Sequence, residues 1–251
     1  RSMLSGPYAI MLLADHGAEV IKIESSEGDT SRRSGPFEKN DVKRDWSGYF
    51  ISLNRNKKSI SLNLKNGDDI VFLKKLIKKS DVLVENFRPG VMKRLGLSFD
   101  EVSKINPRIV YGSINGFGSE IFGESPYKNW PSYDVVAQAM GGLISLTGYN
   151  EKTPLKVGPG IADIFSGSLL SFGLLASILK SRETGRAQFV EVAMYDAIVS
   201  MCERAIYQYD FNNVVPRPEG NGHPLLAPFG IYKAKDGFVA IGIVENSYWN
   251  V

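Results

Sequence analysis

Asp163 stands between a glycine-rich turn and an apolar run, in Val157-Gly158-Pro159-Gly160-Ile161-Ala162-Asp163-Ile164-Phe165-Ser166-Gly167. A carboxylate at such a junction has two uses. It can cap a helix by accepting exposed amides and answering the helix dipole, which is the commoner role. It can also act as a nucleophile or base, and Gly158, Gly160 and Gly167 would let a ligand and backbone amides come close to it. Other chemistries find little footing. The 251 residues hold two histidines, His16 and His223, and one cysteine, Cys202, too few for a His/Cys metal site, so no metal is expected. Neither GxxxxGK[ST], nor GxGxxG after a strand, nor GxSxG is present, which removes the common nucleotide-binding and serine-hydrolase readings. Cys202 lies in an apolar helical stretch and reads as a core thiol. With no partner for a disulfide, it points to a reducing compartment, and a cytoplasmic location is expected. Lys and Arg total 30 against 27 Asp and Glu, a net charge of +3 spread along the chain, which argues against a nucleic-acid binder. Local basic clusters could still grip a small anion.

The elements that must position these residues follow from periodicity. Tyr8 to Ala18 reads as an apolar helix closed by Gly17, and Val20-Ile21-Lys22-Ile23-Glu24 as a short buried strand. Ser59 to Leu64 alternates, and Asp68 to Lys79 gathers Ile70, Leu73, Leu76 and Ile77 on one helical face opposite a solvated lysine face. Strands are predicted at 81–84, 108–114 and 189–192, and helices at 98–105, 134–146, 163–179 and 195–209. Alternating strands and helices imply an α/β protein with an open, Rossmann-like, mostly parallel sheet covered on both faces. The uncharged run Ile164 to Leu179 is short for a membrane span and holds Ser166, Gly167, Ser168, Ser171 and Gly173, so a buried helix is expected and no membrane partner. No basic region followed by an apolar one opens the chain in the manner of a secretory signal. Residues 1–210 read as the large domain and 211–228 as a Pro/Gly/Asn-rich linker with a glycine-containing loop. Residues 229–251 read as the start of a smaller α+β domain, a hairpin turning at Lys235-Asp236-Gly237.

Several ordered motifs carry a resemblance. They are Leu4-Ser5-Gly6-Pro7-Tyr8, the run from Leu13 through Asp15-His16-Gly17-Ala18-Glu19 to Glu24, Gly28-Asp29-Thr30-Ser31-Arg32, and Ser52-Leu53-Asn54-Arg55-Asn56-Lys57-Lys58-Ser59-Ile60. Glu85-Asn86-Phe87-Arg88-Pro89-Gly90 with Arg94-Leu95-Gly96, then Tyr133-Asp134-Val135-Val136-Ala137-Gln138, then the Asp163 segment complete the series. With these the chain resembles, over essentially its whole length, the class III CoA-transferase family, which includes formyl-CoA transferase, the carnitine CoA-transferases and the 2-methylacyl-CoA racemases.

The resemblance implies an enzyme that moves CoA from an acyl-CoA donor to a small carboxylic acid, with Asp163 as nucleophile and with anhydride and aspartyl-CoA thioester intermediates. It implies that Arg32, Leu53, Lys57, Asn86, Arg88, Arg94 and Tyr133 contact CoA, and that Gly220-Asn221-Gly222 forms a glycine loop over the active site that can donate to an oxyanion. It also implies an interlocked homodimer, with a first strand before Arg1 and a C-terminal return segment beyond Val251. Departures narrow this. The racemase branch has histidine at the position of Tyr133, and a phenol with a pKa near 10 is a poor base at neutral pH. Formyl-CoA transferase has glutamine at Leu4 and lysine at Pro131, so a different pair of acids is expected. The alternatives are a 2-methylacyl-CoA racemase or isomerase, and a CoA-binding homologue without turnover.

Overall fold

The computed structural model describes residues 3–44 and 46–250. Helix α1 (Ser5–Asp15) leads into strand β1 (Val20–Glu24), and helix α2 (Gly48–Asn54) into β2 (Lys57–Ser61). Next come α3 (Gly67–Ile77), β3 (Val82–Glu85), the short helices α4 (Val91–Arg94) and α5 (Phe99–Ile105), and β4 (Val110–Asn115). The chain continues through α6 (Asp134–Met140), α7 (Leu143–Leu146), α8 (Ile161–Thr184), β5 (Gln188–Ala193), α9 (Met194–Met201) and α10 (Glu203–Asn212). A hairpin of β6 (Phe229–Lys233) and β7 (Phe238–Gly242) follows.

The architecture is mixed α/β. Strand β1 pairs with β2 in parallel, and β3, β4 and β5 form a second parallel ladder in that order. These are two separate ladders among the described residues, where the alternation predicts one open sheet. Pairing of β2 begins at Lys57 opposite Val20, two residues earlier than the alternation suggests, because β1 sets the register. Two predicted helices are each split. Gly142, at a φ of +92°, separates α6 from α7, and Cys202, with φ −96° and ψ 22°, separates α9 from α10.

Period-2 alternation in β4 divides the core between two layers. Val110 and Ile114 face Leu170, Leu174 and Ile198, while Tyr111 faces Leu97, Val102 and Ile77 on the other side. Between them Gly112 allows α8 to lie close on the sheet, since a Cβ there would stand 2.9 Å from Leu174 Cδ2. Helix α8 is long and apolar enough to cross a membrane, and one of its faces is built into this core. Ser171 Oγ donates to Ala9 O at 2.8 Å and Ser181 Oγ to Arg108 O at 2.6 Å, so its polar residues serve interior contacts. The opposite face departs from the expected burial: Phe172, Leu175 and Leu179 are 75%, 53% and 69% exposed.

Candidate active site

The N-terminus of α8 is capped from another helix. Gly160 occupies the cap position and has no side chain to offer. Asp134, in the first turn of α6, accepts the amide of Ala162 at 2.8 Å and that of Asp163 at 3.4 Å through Oδ1. Its Oδ2 accepts Gln138 Nε2 at 2.6 Å, and the fully buried Gln138 accepts the amide of Val157 at 2.9 Å. One carboxylate–amide pair thus fixes both ends of the 157–163 segment and satisfies amides that every helix start leaves open. The capping role that sequence patterning favours for Asp163 belongs to Asp134.

Asp163 is left with its side chain turned toward α1. The hydroxyl and backbone amide of Ser5, the first residue of α1, hydrogen-bond its carboxylate. These donors stabilise the ionised form, yet burial and the neighbouring charge of Asp134 outweigh them and raise Asp163 from 3.8 to about 6. Close packing brings Ser5 there. A Cβ on Gly167 would stand 2.9 Å from Ser5 O and 3.3 Å from the amide of Ala9, so only glycine lets α1 lie this tightly on α8. The space expected to admit a ligand at Gly167 is filled by α1, and that at Gly160 is occupied by Leu4 and Asp134. Gly158 remains open, with nothing within 4 Å of a built Cβ. Tyr49 of α2 completes the cluster, its phenol raised by burial and by the charges of Asp163, Asp29 and Asp134.

The residues expected to contact CoA divide into four groups. Asn86 reaches the site: its Nδ2 donates to Ser5 Oγ at 3.4 Å, and Gly6 makes room for it against α1. Arg88 and Arg94 are exposed on the loop and short helix after β3, and neither forms an ion pair among the described residues. Tyr133, exposed at the start of α6, adjoins Asp134. Arg32 is already engaged. It grips Glu24 through Nε at 2.8 Å and Nη2 at 2.9 Å and lies 3.7 Å over the Phe50 ring. That grip, with hydrogen bonds from Ser59 and the amide of Asp29, holds Glu24 down at about 2 despite its burial.

Leu53 and Lys57 turn inward. Leu53 is 6% exposed on the inner face of α2, so its side chain packs in the core and offers a nucleotide no surface. Lys57 donates to three acceptors within the protein. The Gly220-Asn221-Gly222 segment contacts Gly148, Tyr149 and Ile231, through Gly220 N to Gly148 O at 2.8 Å and Ile231 N to Asn221 O at 3.1 Å. None of its described hydrogen bonds is to Asp163. Cavities of about 470 Å³ along residues 37–44 and about 340 Å³ between α9–α10 and residues 216–224 include neither Asp163 nor its neighbours. No cluster of metal-ligating side chains occurs among the described residues.

Three residues at the site carry no assigned role in the sequence reading. Ser5 and Asp134 stand inside the quoted motifs, so the signal was their place beside Gly6 and Tyr133. Tyr49 has no local signature, because only the packing of α2 sets it near three carboxylates.

The framework is mixed α/β, and at the start of α8 the cap comes from Asp134 while Asp163 stays half-buried beside it. The chain belongs to CoA-transferase family III, whose profile matches residues 1–251. It is 41% identical over 247 residues to the succinyl-CoA:mesaconate CoA-transferase of Haloarcula marismortui, covering 98% of this chain and 62% of that one. It is 38% identical to the acetyl-CoA:oxalate CoA-transferase of Acetobacter aceti, over 93% of this chain and 58% of the relative. Among solved structures, a CAIB/BAIF family protein from Brucella suis superposes with a TM-score of 0.88 at 32% identity, covering 98% of this chain and 64% of that one. The chain spans about three-fifths of the length of these relatives.

Proposed function

We propose that the protein containing this chain transfers CoA from an acyl-CoA thioester to a free carboxylic acid, with Asp163 as nucleophile. The observation that carries the reading is a half-buried carboxylate, relieved of capping by Asp134 and raised to about 6. At neutral pH it is mostly ionised and poorly solvated, which favours attack. A carboxylate oxygen adds to the thioester carbonyl and the C–S bond breaks, giving a mixed anhydride and CoA thiolate. The thiolate then attacks the aspartyl carbonyl, forming an aspartyl-CoA thioester and releasing the donor acid. The acceptor carboxylate attacks that thioester, expelling thiolate and forming a second anhydride. Attack of the thiolate on the acceptor carbonyl releases the new acyl-CoA and restores Asp163. Each step keeps the acyl group activated.

The exposed Arg88 and Arg94 would receive the phosphate-bearing end of CoA, where arginine forks suit phosphate oxygens, while Arg32 holds Glu24 and Asn86 lies toward Ser5. Tyr133 and Tyr49 flank the thioester end. Relatives named for succinyl-CoA, mesaconate and oxalate put small dicarboxylic acids first among acceptors to be tried. The exposed stripe of α8 and the hairpin support further burial by the rest of the polypeptide or by a second copy, in line with an interlocked homodimer with a Rossmann-like large domain. Full-length protein incubated with a panel of acyl-CoA thioesters and quenched with hydroxylamine tests the reading. A hydroxamate mapped to Asp163 by mass spectrometry is expected. CoA binding with no adduct from any donor overturns it in favour of proton-transfer chemistry or a silent CoA-binding protein.

A further inference from the structure

Lys57 Nζ donates to Pro7 O at 2.7 Å, Leu53 O at 2.7 Å and Asn54 Oδ1 at 3.1 Å. An ammonium has three N–H donors and no acceptor, so every donor is spent inside the protein. Each acceptor belongs to an element beside Asp163. Leu53 O is an end carbonyl of α2, left open by helix geometry and favourable to a cation. Asn54 closes the same turn, its Nδ2 donating to Phe50 O at 2.9 Å. Pro7 O lies in the first turn of α1, two residues past Ser5.

A second tie, Asp15 with Arg55 Nη2 at 2.6 Å and Asn56 Nδ2 at 2.7 Å, joins the far end of α1 to the turn after α2. Lys57 joins the C-terminal end of α2 to the first turn of α1, the end of α1 that presents Ser5. The site is unfavourable for a cation: burial, helped by Lys22 and Arg55 and opposed by Asp29 and Asp15, lowers the ammonium to about 7. A phosphate ligand facing solvent would not incur that cost.

We infer that Lys57 is a positioning residue, a clamp between α1 and α2 that holds Ser5 against the Asp163 carboxylate, and not a ligand for CoA phosphate. The inference rests on the transferase reading for its kinetic consequence and on the structure alone for the clamp.

The test compares full-length wild type, Lys57→Met and Arg94→Ala by the Kd for CoA and by the rate of hydroxylamine-trapped acyl transfer to Asp163 at saturating thioester. For Lys57→Met, a Kd within about twofold of wild type and a trapping rate at least about tenfold lower are expected, with Arg94→Ala weakening the Kd several-fold. CoA binding weakened about tenfold in Lys57→Met, with an unchanged saturated rate, overturns the inference and makes Lys57 a phosphate ligand. If wild type forms no adduct with any thioester, it is the transferase reading that fails, and amide hydrogen exchange decides the clamp. Faster exchange in Lys57→Met confined to residues 5–11 and 48–54 supports it, and unchanged exchange there overturns it. Should Lys57→Met not fold, Lys57→Gln retains two N–H donors on a shorter side chain. The same split, reduced in size, is expected of it, and weakened CoA binding at a wild-type rate overturns the clamp.

Discussion

Asp134 caps the helix that carries Asp163, accepting the Asp163 amide at 3.4 Å, and its charge adds to burial in raising the Asp163 carboxyl to about 6. One side chain therefore both fixes the backbone of Asp163 and contributes to its proton affinity, and the two effects can be separated by substitution. Asp134→Asn keeps an oxygen for the Ala162 and Asp163 amides and removes the charge. The acid limb of the labelling rate at Asp163 is expected to move to lower pH, with a stability loss of about 1–3 kcal/mol because the new amide nitrogen cannot accept the buried Gln138 Nε2. Asp134→Ala removes the cap as well and is expected to cost roughly 1–2 kcal/mol more in urea unfolding. Equal pH profiles for wild type and Asp134→Asn would show that the charge does not reach Asp163.

Asp163→Asn is expected to stabilise the protein while abolishing transfer. Because the folded-state pKa is raised above 3.8, the folded state prefers the protonated acid. The stability this confers is present below pH 3.8 and is lost as pH rises through about 6. At pH 7.5 the ionised group is a burden of roughly 1–3 kcal/mol, from about 1.4 kcal/mol per pKa unit, and the amide removes it. Urea unfolding at pH 7.5 and pH 4.5 checks this. The stabilisation should be larger at the higher pH, and a pH-independent difference would exclude ionisation as its source.

Gly167→Ala places a methyl 2.9 Å from Ser5 O. Backbone cannot yield as a flexible side chain can, so α1 must move, at a cost of about 1–3 kcal/mol. Because Ser5 lowers the Asp163 pKa, losing its hydrogen bonds should also shift the acid limb of the rate upward. A thermal melt with a pH–rate profile reads both effects. A destabilised variant with an unchanged profile would show that Ser5 is not needed at the carboxylate.

Arg94→Ala is expected to weaken CoA binding several-fold, more at low salt than at high, because the guanidinium is exposed and its attraction for phosphate is screened. Asp163→Ala should leave the Kd for CoA largely unchanged, since the nucleophile serves chemistry more than nucleotide binding. Calorimetry with CoA at two ionic strengths measures both. An unchanged Kd for Arg94→Ala removes that residue from the site.

The sequence by itself determined the alternation of strands and helices, the hairpin at 235–237 and the ordered motifs around Asp163, because these depend on local periodicity, turn chemistry and short runs of side chains. It placed Asp163 at a helix start but could not tell cap from nucleophile, since an aspartate there looks the same in either role. Tertiary structure gave the cap to Asp134, brought across from α6. It likewise turned Leu53 of α2 and Lys57 of β2 inward, because which face of an element is buried depends on what packs against it and not on its own residues alone. Hydrophobic patterning specifies that a face is buried, whereas the contacts that tune a carboxylate come from residues distant in the chain, and only packing brings them together.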